Sequence, residues 1–186
     1  AAIGFLSKYL FIYLLVSINL LFVYLIFIKK TKKFDFKYLV TIEVFFVLLV
    51  PHLIWLYNND FISLTYGLNR AGGGNDLLDH ISFPVIFIGK QLGILVPFII
   101  MTFFLIKKLK FKIKIQNKNI IFLVFTFLVP ILSIILTSLI MGVKIRTMWM
   151  TPFYISFGLL FIYIFKSEIN FEKMKTFTSV FLILFF

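Results

Sequence analysis

Cysteine is absent from this 186-residue chain, which excludes disulfides, thiolate metal sites and cysteine nucleophiles together. Carboxylates are scarce, with 7 Asp and Glu against 19 Lys and Arg, for a net charge of +12. Histidine is scarcer still. His52 and His80 are the only two, and a lone His at a helix end is more often a structural hydrogen-bonder than a ligand. No Gly-Lys-Ser/Thr follows the Ala71-Gly72-Gly73-Gly74-Asn75 stretch, so it reads as flexible punctuation and not as a phosphate cradle. No metal or cofactor is indicated; a divalent ion on the few carboxylates stays open.

What the chain has in abundance is apolar surface. Hydrophobic residues make up 62% and the mean hydropathy is +1.09, against roughly 45–50% apolar residues in soluble domains. A soluble fold of this length would leave most of its Phe, Ile and Leu side chains in water. The composition therefore points to a polytopic, all-α transmembrane bundle, with the lipid bilayer as its first partner. A charge of +12 would suggest nucleic acid in a soluble protein, but here the lysines fall between apolar runs. No nucleic-acid partner is expected.

About 20 apolar residues are needed to span a bilayer. Such runs occur at Tyr9–Ile28, Tyr38–Tyr57, 84–106, 120–141 and Thr147–Phe165. The tail of an earlier helix ends near Ser7, and a sixth span starts near Thr176. Both ends lie in apolar sequence without a start Met, so the reading is one transmembrane domain over 1–186 cut at both termini. The segments 29–37, 107–118 and 166–175 hold five, six and three lysines, fourteen of the 19 cationic residues. The positive-inside rule makes them cytoplasmic and makes 58–83 and 142–151 exoplasmic loops. Multi-pass insertion in a bacterial inner (plasma) membrane follows. Segment 58–83 reads as one long polar loop, with a short interfacial turn at Leu77–Ile81.

Ionisable groups within spans are costly and mark function by default. Glu43 lies near the cytoplasmic side, where it can pair with a nearby Lys. The five remaining cations, Lys8, Arg70, Lys90, Lys144 and Arg146, all map to the exoplasmic half, where the insertion rule disfavours them. Two readings stay open. The cations either hold an anionic ligand, with Lys acting as a point charge and Arg as a fork, or sit in water and pair with Asp60, Asp76 and Asp79. Lys90 is placed six residues into its span and Lys8 at the mouth of its own, which puts their ammonium groups at one depth.

Several strings resemble a known family. Gly4-Phe5-Leu6-Ser7-Lys8-Tyr9 resembles a segment of bacterial family 39 glycosyltransferases. Pro51-His52-Leu53-Ile54-Trp55-Leu56, then Asn59-Asp60-Phe61 and Tyr66, is similar to a second. Gln91, and Gly142-Val143-Lys144 before Trp149 and Pro152, resemble its late exoplasmic loop. Met150 departs from the small residue often found there. The resemblance implies a GT-C membrane fold that takes a sugar from a polyprenyl-phosphate carrier and passes it to a lipid, glycan or protein acceptor. It implies a catalytic carboxylate upstream of Ala1. Lys8, Lys90, Lys144 and Arg146 are then expected on the donor phosphate, with Asp60, Gln91, Trp149 and His52 as candidate substrate contacts. The rival class, a transporter or flippase for a lipid-linked or anionic substrate, would show polar or broken helices at the midplane.

Overall fold

The computed structural model describes residues 1–72, 76–106 and 117–185. Among these, structure is helical apart from turns, short connections and isolated bridges, of which one pairs Ile106 with Ile169. The helices are α1 (Ala2–Ser7), α2 (Phe11–Val23), α3 (Lys37–Asn58), α4 (Ile62–Ala71), α5 (Asp79–Leu105), α6 (Lys118–Met141), α7 (Tyr154–Phe165) and α8 (Met174–Phe185). A π-helical turn, Tyr24–Ile28, prolongs α2, and a 3₁₀ stretch, Thr147–Phe153, leads into α7.

Five of these segments are long and apolar enough to cross a membrane: Phe11–Ile28, Lys37–Asn58, Asp79–Leu105, Lys118–Met141 and Thr147–Phe165. At 1.5 Å rise per residue, α3, α5 and α6 run about 33, 40 and 36 Å, against a hydrocarbon core of about 30 Å. The solvent-accessible surface is 13,047 Å², whereas a compact soluble chain of 21.9 kDa would expose about 9,300 Å². The excess is Phe, Ile, Leu and Val facing outward along every span. Lipid is the solvent that makes such a surface stable. The chain is a multi-pass membrane protein.

The bundle is built around α6, which packs against α2, α5 and α7. Where α2 meets α6, Ser17 is fully buried and its Oγ donates to the Phe125 carbonyl at 2.7 Å. One turn away, the Tyr13 hydroxyl donates to Thr137 Oγ1 at 3.1 Å. A small residue lets the backbones approach, and interhelical hydrogen bonds act where the hydrophobic effect gives no drive between helices. The larger core cluster joins Phe87 of α5, Ile134 of α6, and Val143, Ile145, Met150 and Phe153 from the connection that follows. A second, Ile120, Phe127 and Leu160, ties α6 to α7. By contrast α3 buries only Leu49 and Leu56 and lies against α1, with Phe5 edge-on to Phe45.

Successive spans alternate in direction, which gives the bundle a lysine-poor end and a lysine-rich end. Lys8, α4, Gly142 and Trp149 share the first. Lys29–Lys37, Lys118 and Lys166–Lys175 share the second, where Asn170 N–H donates to the Leu105 carbonyl and Asn117 Nδ2 donates to the Tyr163 hydroxyl. Residues 107–116 of the second lysine-rich segment lie outside the described residues, as do Gly73, Gly74, Asn75 and Phe186.

Two expected loops turn out to be structured. Segment 58–83 is not one long loop, because residues 62–71 form α4 and α5 begins at Asp79. The apolar residues Ile62, Leu64, Tyr66 and Leu68 fall at every second position, a period that does not announce a helix, and Gly72, at φ +67°, ends α4 in a conformation that glycine adopts freely. The carbonyl of Asp76 starts α5 by accepting Asp79 N–H at 3.0 Å. Segment 142–151 is not a solvent loop either. From Val143 to Arg146 the backbone is extended, so side chains alternate: Val143 and Ile145 are buried while Lys144 and Arg146 are exposed.

Candidate functional site

At the lysine-poor end a cavity of about 310 Å³ is lined by Lys8, Arg70, Met148 and Trp149. Three separate pieces of chain build it. Lys8 sits at the break between α1 and α2, where its extended backbone (φ −159°, ψ 115°) ends the first helix. Trp149 packs on the larger core cluster, which fixes that wall from beneath. Arg70 comes from the last turn of α4, and its Nη1 donates to the Tyr66 hydroxyl at 3.2 Å, with the guanidinium 5.9 Å from the Tyr66 ring centroid. Tyr66 and Arg70 are four apart, so they share one face of the helix.

Helix α4 is held at both ends. Near its start, the Tyr9 hydroxyl lies 2.8 Å from both Ser63 Oγ and His52 Nε2, and His52 stacks on Trp55 at 5.8 Å and 13°. Beyond its end, the Gly72 carbonyl accepts the Lys144 amide at 3.0 Å. The segment bearing Lys144 is fixed in turn: the Val143 carbonyl accepts from the fully buried Ser138 hydroxyl at 2.8 Å. His80 Nδ1 lies 2.7 Å from the Leu139 carbonyl, which can only accept, so Nδ1 carries the proton.

Of the eight expected site residues, two, Lys8 and Trp149, line the cavity. Lys144 and Arg146 are exposed on the neighbouring extended segment and are not among its lining residues. Lys90 is exposed on α5, off the face that buries Pro84, Phe87 and Gln91. It is not among the lining residues of the cavity, and because α5 begins at Asp79 it lies eleven residues in, about 16 Å along the axis. Gln91 is buried and accepts from the Tyr154 hydroxyl through Oε1, while its Nε2 has no partner among the described residues. Asp60 is exposed at φ +49°, followed by Phe61 at +54°; this left-handed pair turns α3 into α4. His52 serves the Tyr9 contact.

Arg70 was expected in a flexible loop and stands instead on a helix, over the cavity. Tyr9 and Ser63 carried no individual signal in the sequence; the four-residue spacing of Tyr66 and Arg70 did. Among the described residues no Lys or Arg forms an ion pair with a carboxylate, so Asp60, Asp76 and Asp79 do not neutralise the outer cations. Glu43, expected to pair with a Lys, is exposed and likewise without an ion pair. No three of the described His, Asp and Glu residues come together as a metal site. The cavity thus offers one point charge, one planar donor, an indole and a thioether. That combination suits an anion carried on a hydrocarbon chain, in a volume at the lower end of the roughly 300–1,000 Å³ usual for small-molecule sites.

No family model matches the chain, and no curated protein or solved structure matches it either.

Proposed function

We propose that the chain is the membrane part of a GT-C-type glycosyltransferase of the family 39 kind, taking a sugar from a polyprenyl-phosphate donor at the outer face of the membrane. The observation that carries this is the cavity in which Lys8 and Arg70, neither paired with a carboxylate, face Trp149 and Met148. In such a transfer the acceptor oxygen bonds to the anomeric carbon while the bond from that carbon to the phosphate oxygen breaks. Negative charge builds on the departing phosphate as its electrons return. Cations already in place at that oxygen lower the barrier, since they need no reorganisation as the charge develops. The acceptor's proton goes to a general base, which the family resemblance implies is a carboxylate. Among the described residues, nine lysines lie at the opposite end, which supports an outward-facing cavity through the positive-inside rule.

The test is binding to the chain in nanodiscs, read by native mass spectrometry, with polyprenyl phosphate and polyprenol of equal length as probes. The phosphate form is expected to bind at least about tenfold better, in line with one charge-assisted contact. Arg70→Ala and Lys8→Ala should each remove most of that preference. Arg70→Lys should recover part of it, since a point charge replaces a fork. Lys90→Ala should leave it within about twofold of the parent, being a change of one charge away from the ligand. Equal binding of the two probes would overturn the reading.

A transporter or flippase for the same ligand class has one observation in its favour. Buried Gln91, near the middle of α5, pairs with half-buried Tyr154 and keeps an amide nitrogen without a partner among the described residues, and polar groups at that depth mark substrate paths. Full-length protein that consumes the donor and yields free polyprenyl phosphate is an enzyme. One that moves the donor intact is a transporter.

A further inference from the structure

The lysine-rich end carries a feature that the cavity does not use. Between α2 and α3 the chain reads Lys29-Lys30-Thr31-Lys32-Lys33-Phe34-Asp35-Phe36-Lys37. Lys30, Lys32, Lys33 and Lys37 are exposed, and among the described residues none of the five lysines is in an ion pair with a carboxylate. The single acid, Asp35, is committed elsewhere: its Oδ1 accepts the Lys37 amide at 3.0 Å and so caps the start of α3. Beside this unneutralised charge, Phe34 and Phe36 are 53% and 76% exposed. They meet edge to face at 5.9 Å, and Phe34 also meets Tyr38 at 6.2 Å. Tyr38 in turn packs on Phe22 of α2 at 5.2 Å, so the aromatic group is anchored to both spans and held where they leave the membrane.

We propose that the connection 29–37 is a binding site for the headgroups of anionic phospholipids. Two properties select this partner together. A run of lysines just outside a span attracts anionic lipid, and exposed aromatic rings at the same level enter the boundary between headgroups and acyl chains. A free anion would use the lysines and have no use for Phe34 and Phe36. The site is separate from the cavity, at the other end of the bundle, and stands or falls independently of the reading given for it.

The experiment is lipid retention by the purified chain, read by native mass spectrometry from micelles holding equal amounts of phosphatidylglycerol and phosphatidylcholine with matched acyl chains. The chain should retain phosphatidylglycerol in clear excess. Changing Lys29, Lys30, Lys32 and Lys33 to Gln should lower that preference about tenfold or more, while the four Lys→Arg changes should keep it. If the fourfold Gln protein is poorly folded, Lys32→Gln with Lys33→Gln, both exposed, should give a smaller loss in the same direction. Phe34→Ala with Phe36→Ala should weaken retention with the charge untouched. Lys166, Lys173 and Lys175 changed to Gln set the comparison, since they remove similar charge from the same end. An equal loss from that variant would reduce the effect to net charge and overturn the site. So would an unchanged preference in the Gln variants, or displacement of the lipid by millimolar inorganic phosphate.

Discussion

Replacing Gly142 with Ala should destabilise the protein through a clash that a second substitution removes. Gly142 caps the C-terminus of α6 at φ +59°, its N–H donating to the Ser138 carbonyl at 2.9 Å. A left-handed conformation costs an L-residue roughly 1–2 kcal/mol. A Cβ there would also lie 2.8 Å from His80 Nε2 and 3.0 Å from Cδ2. The imidazole cannot swing aside freely, because Nδ1 is bonded to the Leu139 carbonyl; giving up that bond costs about 1 kcal/mol more. Gly142→Ala alone should therefore cost about 2–3 kcal/mol. In a His80→Ala background the ring is gone and only the backbone term of roughly 1–2 kcal/mol remains. The assay is a double-mutant cycle in mixed micelles, following loss of helical circular dichroism with added denaturing detergent. A coupling of about 1 kcal/mol between the sites is expected. If Gly142→Ala costs the same in both backgrounds, His80 does not confine this turn and the reasoning fails.

Three further outcomes can be checked. Ser17→Val should destabilise by about 1–3 kcal/mol through overpacking of the α2–α6 seam, and Ser17→Ala by about 1 kcal/mol through the lost bond to the Phe125 carbonyl; the same denaturation assay reads both, and a neutral Ser17→Val would mean the seam is not tight. Because the chain has no cysteine, single cysteines at Lys32 and Thr65 can be labelled cleanly by an impermeant reagent; Lys32 should react only from the cytoplasm and Thr65 only from outside, and reaction of both from one side would remove the α3 crossing. Raising ionic strength from 0.01 to 0.15 M shortens the screening length from about 30 to 8 Å, so phosphatidylglycerol retention at 29–37 should fall severalfold while polyprenyl-phosphate binding falls less, since Trp149 and Met148 wall that cavity.

The spans were legible because lipid imposes one strong constraint, a continuous apolar run of fixed length. Four of the five boundaries agree within about two residues. The third moved outward by five, because the Asp76 carbonyl starts a helix before the apolar run begins. The segments between spans were read by polarity alone, and there the reading failed. The alternation Val143, Lys144, Ile145, Arg146 is a period-two signal of extended chain with one buried face, plain in the sequence once the period is considered. In α4 the apolar residues Ile62, Leu64, Tyr66 and Leu68 fall at every second position and are all exposed, so no helical periodicity marked this run of ten as a helix. For the site, sign of charge grouped Lys8, Arg70, Lys144 and Arg146 with Lys90, which lies near the middle of α5, and could not say which of them converge. Lys90 lies eleven residues into α5 and is not among the residues that line the cavity with Lys8.

Convergence instead depends on α4. That helix makes few packing contacts with the bundle, and its apolar residues Ile62, Leu64 and Leu68 are exposed, so hydrophobic burial against the bundle does not hold it over the cavity. Two polar ties do, Ser63 to Tyr9 at one end and Gly72 to Lys144 at the other. Net hydrogen bonds are worth about 0.5–1.5 kcal/mol each, which is enough to bias a short helix toward one position and too little to lock it there. Tyr9 adjoins Lys8 in sequence, and Lys144 lies on the strand-like segment that leads to Met148 and Trp149. Each tie therefore joins α4 to a piece of chain that lines the cavity, and Arg70, near the second tie, is brought to the other three lining residues by the same bonds that position the helix. The positive cavity is thus a property of how the outer segments are tied together, which explains why neither the five cations taken as a set nor the short family-like strings could locate it.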